Sequence, residues 1–275
     1  MKLPRVEGTT LRVITAFLWL PAVLAVIWVP LLKWFFVLLV MFLSYMGARE
    51  FFVLTQQRGI GTRKTIVTLM APLLAAGAVF TDMRLLLIAC LFAVITAHLL
   101  SSEHTIAGLA TSVFGLIYAG YFPAYFTAMH VTPVTGPALV TILLSAIGIS
   151  DTGAYAFGRW LGRHKLAPHI SPNKTVEGSI AGLVCAGIAG VVLFGLKEVF
   201  HWETYPAWPV SVYVFVCVIL SVAGQLGDLA ESMLKRDAGV KDSGTLFPGH
   251  GGALDRCDAF LFGGPVLYYL ALFIG

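Results

Sequence analysis

Residues 210–232 read V-S-V-Y-V-F-V-C-V-I-L-S-V-A-G-Q-L-G-D-L-A-E-S. The run begins as an uncharged apolar stretch, long enough to enter a bilayer whose hydrocarbon layer takes about 20 helical residues to cross. It ends in Gln225, Asp228 and Glu231. A helix that starts in lipid and finishes in carboxylates decides the fold class, all-α and membrane-embedded, and points to the end of the bundle where chemistry belongs.

The rest of the chain agrees. Of 275 residues, 58% are hydrophobic and 12% charged, and mean hydropathy is +0.87, a balance that a water-facing surface of this size does not tolerate. Apolar runs suggest about nine transmembrane helices, near 12–30, 34–48, 65–80, 85–100, 109–130, 138–158, 180–196, 210–232 and 259–275. The first follows Lys2, Arg5 and Arg12 but is long and has no small-x-small cleavage site, so it reads as a retained span. With the N-terminus cytoplasmic, only Lys33, Arg84 and Lys197 of the 18 Lys and Arg residues fall outside, as the positive-inside rule requires. The net charge of +4 then needs no nucleic-acid partner. Cys90, Cys185, Cys217 and Cys257 are widely spaced and form no metal or disulfide pattern.

No internal repeat marks inverted halves, yet the halves differ. Residues 1–130 are apolar spans with short connections; residues 131–275 carry nearly all the unusual polar groups, within one integrated membrane domain. Three polar stretches fall on the cytoplasmic side. Ser150-Asp151-Thr152-Gly153 closes the sixth span, and Asp151 reads either as a functional carboxylate, given its cost in lipid, or as a hydrated helix end. Ser171-Pro172-Asn173-Lys174-Thr175-Val176-Glu177-Gly178-Ser179 precedes the seventh, where Ser171 or Asn173 could cap a helix and, with Lys174, bind an anion; from spacing alone an ordinary capped basic loop fits slightly better.

The third stretch is the richest. Asp228 and Glu231 share a helix face, as do Asp255 and Asp258. Between the pairs lie Lys235, Arg236, Lys241 and the loop Pro248-Gly249-His250-Gly251-Gly252, with Arg256 following. Oxygen donors without Cys suit a hard divalent cation such as Mg²⁺. Lys and Arg supply charge for phosphate, and Gly249, Gly251 and Gly252 let backbone N–H groups approach an anion. Together they indicate metal-assisted phosphoryl or nucleotidyl transfer at the membrane surface.

From Ser232 the string S-M-L-K-R-D-A-G-V-K-D-S-G-T-L-F-P-G-H-G-G-A-L-D-R-C-D closely resembles the signature of the phosphatidate cytidylyltransferase (CDP-diacylglycerol synthase) family. Residues 150–155 and 171–178 are also similar to that family, although Asn173 stands where a second Lys is common and Val176 where an aromatic is frequent. The resemblance implies cytidylyl transfer from CTP to phosphatidic acid in a bacterial cytoplasmic (inner) membrane, with the active site facing the cytoplasm. It implies Mg²⁺ at Asp228 and Asp255, with Asp258 and Asp151 beside them, and a monovalent cation such as K⁺. Lys174, Lys235, Arg236, Lys241, His250 and Arg256 match basic motif positions, and Ser171, Asn173, Thr175, Glu177, Gly249, Gly251 and Gly252 are expected to contact substrate. A homodimer in the lipid bilayer is a further expectation. A transporter would need polar residues through the depth of the membrane, whereas these cluster at one face. A polyprenol kinase would share the basic residues and glycine loop, and only the long signature separates it.

Overall fold

A computed structural model of the chain describes residues 21–102, 105–246 and 251–275. Most of the first expected span, with Lys2, Arg5 and Arg12, lies outside the described residues; its end, 21–28, is helical. Eight helices follow: α1 (Lys33–Gln56), α2 (Lys64–Gly77), α3 (Met83–Leu99), α4 (Ile106–His130), α5 (Gly136–Leu161), α6 (Val176–Phe200), α7 (Val210–Asp237) and α8 (Leu254–Ile274). They match the remaining eight expected spans one for one. Six are long and apolar enough to cross a membrane, while α2 and α3 are shorter apolar helices. The chain is an all-α, polytopic membrane protein.

Lipid as solvent explains the outer surface. Leu38, Phe92, Val184 and Phe273 are more than half exposed, which is affordable only where the surroundings are as apolar as the side chains. Between helices, small residues permit close approach. A Cβ on Gly182 of α6 would press on Ser150 and Ala154 of α5, so these two helices pack with their backbones nearly touching.

Two buried clusters fill the bundle. One joins Ile142 and Ile147 of α5, Val216 and Leu220 of α7 and Leu267 of α8. The other gathers Phe51 of α1, Leu74 of α2, Val94 of α3 and Tyr118 of α4 with Leu254 and Leu261 of α8. Because α8 contributes to both, the N-terminal helices pack directly on the segment that carries the polar motif.

The helix ends sort into two sets. At one, Trp28 stacks on Tyr205 and donates to Thr141, Trp34 stacks on Phe80 and Phe36 on His130. At the other, Arg58 pairs with Asp237 and the Arg63 N–H donates to Ser112. This second end carries an antiparallel hairpin not expected from the sequence, β1 (Lys165–Ala167) with β2 (Ser171–Thr175), Lys165 opposite Thr175. The hairpin corrects the cap proposed for α6. Ser171 and Asn173 lie in a strand, and Thr175 is the N-cap, its Oγ1 accepting from Gly178 N–H at 3.2 Å.

Candidate active site

Length places the polar end of α7. Twenty-eight residues rise about 42 Å at 1.5 Å each, against roughly 30 Å of hydrocarbon, so the turns from about Asp228 onward emerge from the apolar layer. Gly227 then sets what they meet. A Cβ there would overlap the carbonyl of Asp258, so the bare backbone of α7 lies against the first turns of α8 and brings Asp228 beside Asp258.

A cavity of about 1340 Å³ opens at this end, between α5, the hairpin, α6, α7 and the start of α8. Of the residues singled out from sequence it is lined by Asp151, Asn173, Lys174, Thr175, Asp228, Glu231, Lys235, Lys241, Gly251, Asp255, Arg256 and Asp258. Four separate segments thus converge, and both polar stretches left open above, around Asp151 and Lys174, belong to the same wall. Gln225 lines it as well, and so do Arg159 and Lys165, which sequence reasoning did not single out.

The charges are tightly paired. Lys174 Nζ lies 2.6 Å from Asp228 Oδ2. Lys235 Nζ sits between two acids, 2.5 Å from Glu231 Oε2 and 2.6 Å from Asp255 Oδ1. Glu231 is fully buried, and among the described residues Lys235 is the cation beside it. Asp255 also accepts from the N–H groups of Ser243 and Gly252, both at 2.8 Å, and from Ser243 Oγ at 2.9 Å. Ser150 Oγ and Ser221 Oγ share a hydrogen bond of 2.5 Å, and Ser179 bonds Gln225, tying α5, α6 and α7 together behind the carboxylates.

Other expected residues do structural work at the rim. Glu177 accepts from the N–H groups of Arg163 and His164 and pairs with His164 Nδ1 at 2.6 Å, bracing the entry to the hairpin. Arg236 donates to the carbonyls of Ile170 and Val240, which pins the hairpin turn to the end of α7. Neither lines the cavity, nor do Ser171 and Gly252. Gly249 and His250 lie outside the described residues.

The donor set fits a hard cation in kind. Asp151, Asp228 and Asp258 are near enough to feel one another's charge, and the lining offers carboxylate oxygen and no thiolate. Among the described residues, no three acidic, His or Cys side chains are gathered tightly enough to hold an ion by themselves; lysines occupy Asp228 and Asp255 instead. Six acidic and six basic side chains line the cavity, so its own charges roughly cancel and a polyanion would gain from an added cation.

Comparison with known proteins gives this geometry a family. The model of the cytidylyltransferase family matches residues 10–274. A phosphatidate cytidylyltransferase of Synechocystis sp. is 36% identical over 270 residues, covering 88% of this chain and 89% of that protein. Proteins of the same name from Staphylococcus haemolyticus and Staphylococcus saprophyticus are 37% and 39% identical, each covering 78% of the chain and 79% of their own length. With the match running through every described helix and the whole cavity, the chain is an enzyme of the cytidylyltransferase family.

Proposed function

We propose that this protein transfers the cytidylyl group of CTP to phosphatidic acid, forming CDP-diacylglycerol and pyrophosphate for phospholipid biosynthesis. The observation that carries the reading is the convergence of Asp151, Lys174, Asp228, Asp255 and Arg256 on one cavity at the emergent ends of α5, α7 and α8. The names of the relatives supply the substrates.

The chemistry asks little of side chains as nucleophiles. A phosphate oxygen of phosphatidate, already anionic near neutral pH, attacks the α-phosphorus of CTP. The bond from that phosphorus to the oxygen bridging the β-phosphate breaks, and pyrophosphate leaves with the electron pair. What must be overcome is repulsion between two anions, which Lys174, Lys241, Arg256, Arg159 and Lys165 reduce by lining both sides of the cavity. Mg²⁺, held by Asp228 and Asp255 with Asp258 and Asp151 alongside, would add positive charge where the phosphates meet.

Tyr155 on the rim is 70% exposed and Trp160, five residues on, is 76% exposed. Aromatic side chains of this kind favour the headgroup layer, a position from which acyl chains stay in lipid while the headgroup reaches Asp151. CTP would enter from the cytoplasm, in a bacterial inner membrane.

Purified protein supplied with CTP, Mg²⁺ and phosphatidate should release CDP-diacylglycerol and pyrophosphate in equal amounts. Failure to form either above background, or transfer to a polyprenol hydroxyl in preference to phosphatidate, would overturn the assignment.

A further inference from the structure

Glu50 lies on α1, in the half of the chain that holds none of the expected site residues, and it is 8% exposed. A buried carboxylate in a membrane helix is costly unless fully hydrogen-bonded, so its partners reveal its purpose. Its Oε1 accepts from Ala253 N–H at 2.8 Å, and its Oε2 from Leu254 N–H at 2.9 Å. Ser243 Oγ stands 3.0 Å from Glu50 Oε2 and 2.9 Å from Asp255 Oδ2. The hydroxyl's one hydrogen serves one carboxylate at a time, and the N–H groups keep both satisfied. All three partners belong to the signature that lines the cavity or to its immediate flank.

The signature is also shaped to admit this side chain. A Cβ on Gly244 would stand 2.5 Å from Glu50 Oε1, and one on Gly252 would overlap Glu50 Oε2 and Ser243 Oγ. Two glycines of the motif therefore have no room for a side chain because Glu50 fills the space. The contacts continue inward without a break: Glu50 to Ser243, Ser243 to Asp255, Asp255 to Lys235, Lys235 to Glu231.

We propose that Glu50 is a positioning residue for the transfer reaction. It holds Ser243–Gly244 on one side of the glycine loop and Gly252–Leu254 on the other, so that Asp255 and Arg256 are presented to the cavity in one orientation. The N-terminal helices thereby contribute to catalysis through a side chain that touches no substrate. The kinetic part of this proposal rests on the function proposed above; the structural part does not.

The test uses the full-length protein and two variants. E50Q keeps the volume but turns an acceptor oxygen into an NH₂ group facing other donors. G244A leaves the carboxylate and pushes a methyl into it. In both, amide exchange of residues 251–254 should quicken at least tenfold while α5 and α6 exchange as in the wild type. Turnover at saturating CTP and phosphatidate should fall at least tenfold, with KM for phosphatidate within twofold of wild type. The double variant should be no worse than the more severe single one.

Unchanged exchange at 251–254 overturns the proposal. So does faster exchange throughout the bundle, or failure of both variants to fold, since either would make Glu50 a general stabiliser. A released segment with normal turnover overturns it too. A wild type that makes no CDP-diacylglycerol would instead count against the proposed function, and the exchange measurement would still decide whether Glu50 holds the segment.

Discussion

Lys174 Nζ and Asp228 Oδ2 lie 2.6 Å apart, joining the strand before α6 to the emergent turns of α7. Both side chains are half-buried at the cavity wall, 25% and 36% exposed, so solvent screens the pair in part. Each is a member of a different sequence stretch, and the contact brings the two stretches together at one cavity.

That pairing predicts coupled kinetics. Asp228→Asn removes a carboxylate of the proposed metal site and should lower turnover by about 10²-fold or more, the scale of losing one preorganised electrostatic contact. Lys174→Met should lower it as well, because Asp228 then faces Asp151 and Asp258 without its counter-charge. Groups that act as a unit are not additive, so the double variant should be no slower than Asp228→Asn by more than a few fold. A product of the two single losses would show independent roles.

Lys235 makes a different prediction, one about stability. Lys235→Met leaves Glu231 buried without a counter-ion, and breaking a buried pair from one side costs about 3–5 kcal/mol. Lys235→Met combined with Glu231→Leu removes both charges and should recover most of the loss, as seen by thermal denaturation in detergent. Turnover should stay low in the double variant, since Asp255 has still lost the cation 2.6 Å away. Recovery of activity together with stability would reduce Lys235 to a structural ion.

Gly227 tests how the acids are brought together. Gly227→Ala drives a methyl into the Asp258 carbonyl and should cost roughly 1–3 kcal/mol, as overpacking does, with turnover falling as α7 and α8 separate. Gly148→Ala is the control: a Cβ there meets nothing within 4 Å, and replacing a mid-helix glycine should be neutral or stabilising by about 0.5–1 kcal/mol. Equal melting temperatures for the two variants would refute the close-approach argument.

Most of the helical frame was legible in the sequence because lipid imposes a simple rule, long apolar runs, and eight of the expected spans fall on α1–α8. The cavity wall was legible at Asp151, Lys174, Asp228 and Asp255 because charges next to apolar runs are conspicuous. The hairpin at Lys165–Thr175 was not, since five strand residues that include Pro172 and Asn173 carry no alternation. Glu50 was missed for a reason of boundaries. Ending the second span at 48 puts Glu50 in a loop beside Arg49, where a carboxylate needs no explanation, whereas α1 runs to Gln56 and leaves it buried inside a helix. The placement of Arg236 and Glu177 was not legible either, because sequence shows charge but not direction, and both make their hydrogen bonds at the hairpin.

Joining the charge pattern to the two sets of helix ends gives an expected side of the membrane for the cavity, which labelling can test. Lys33 and His130 stand at the end where Trp28, Trp34 and Tyr205 stack; Arg58, Arg63, Lys174 and Lys235 stand at the other, with the cavity. Because basic residues are retained on the cytoplasmic side, His169→Cys in the exposed hairpin turn should be modified by an impermeant thiol reagent only in inside-out vesicles. Glu203→Cys, exposed between α6 and α7, should be modified only in right-side-out vesicles. The background from native thiols is low, as Cys90 and Cys217 are buried and Cys185 and Cys257 half-buried. The reverse pattern would place the cavity on the outer face, where CTP is absent, and would defeat the proposed reaction even with every side chain in place.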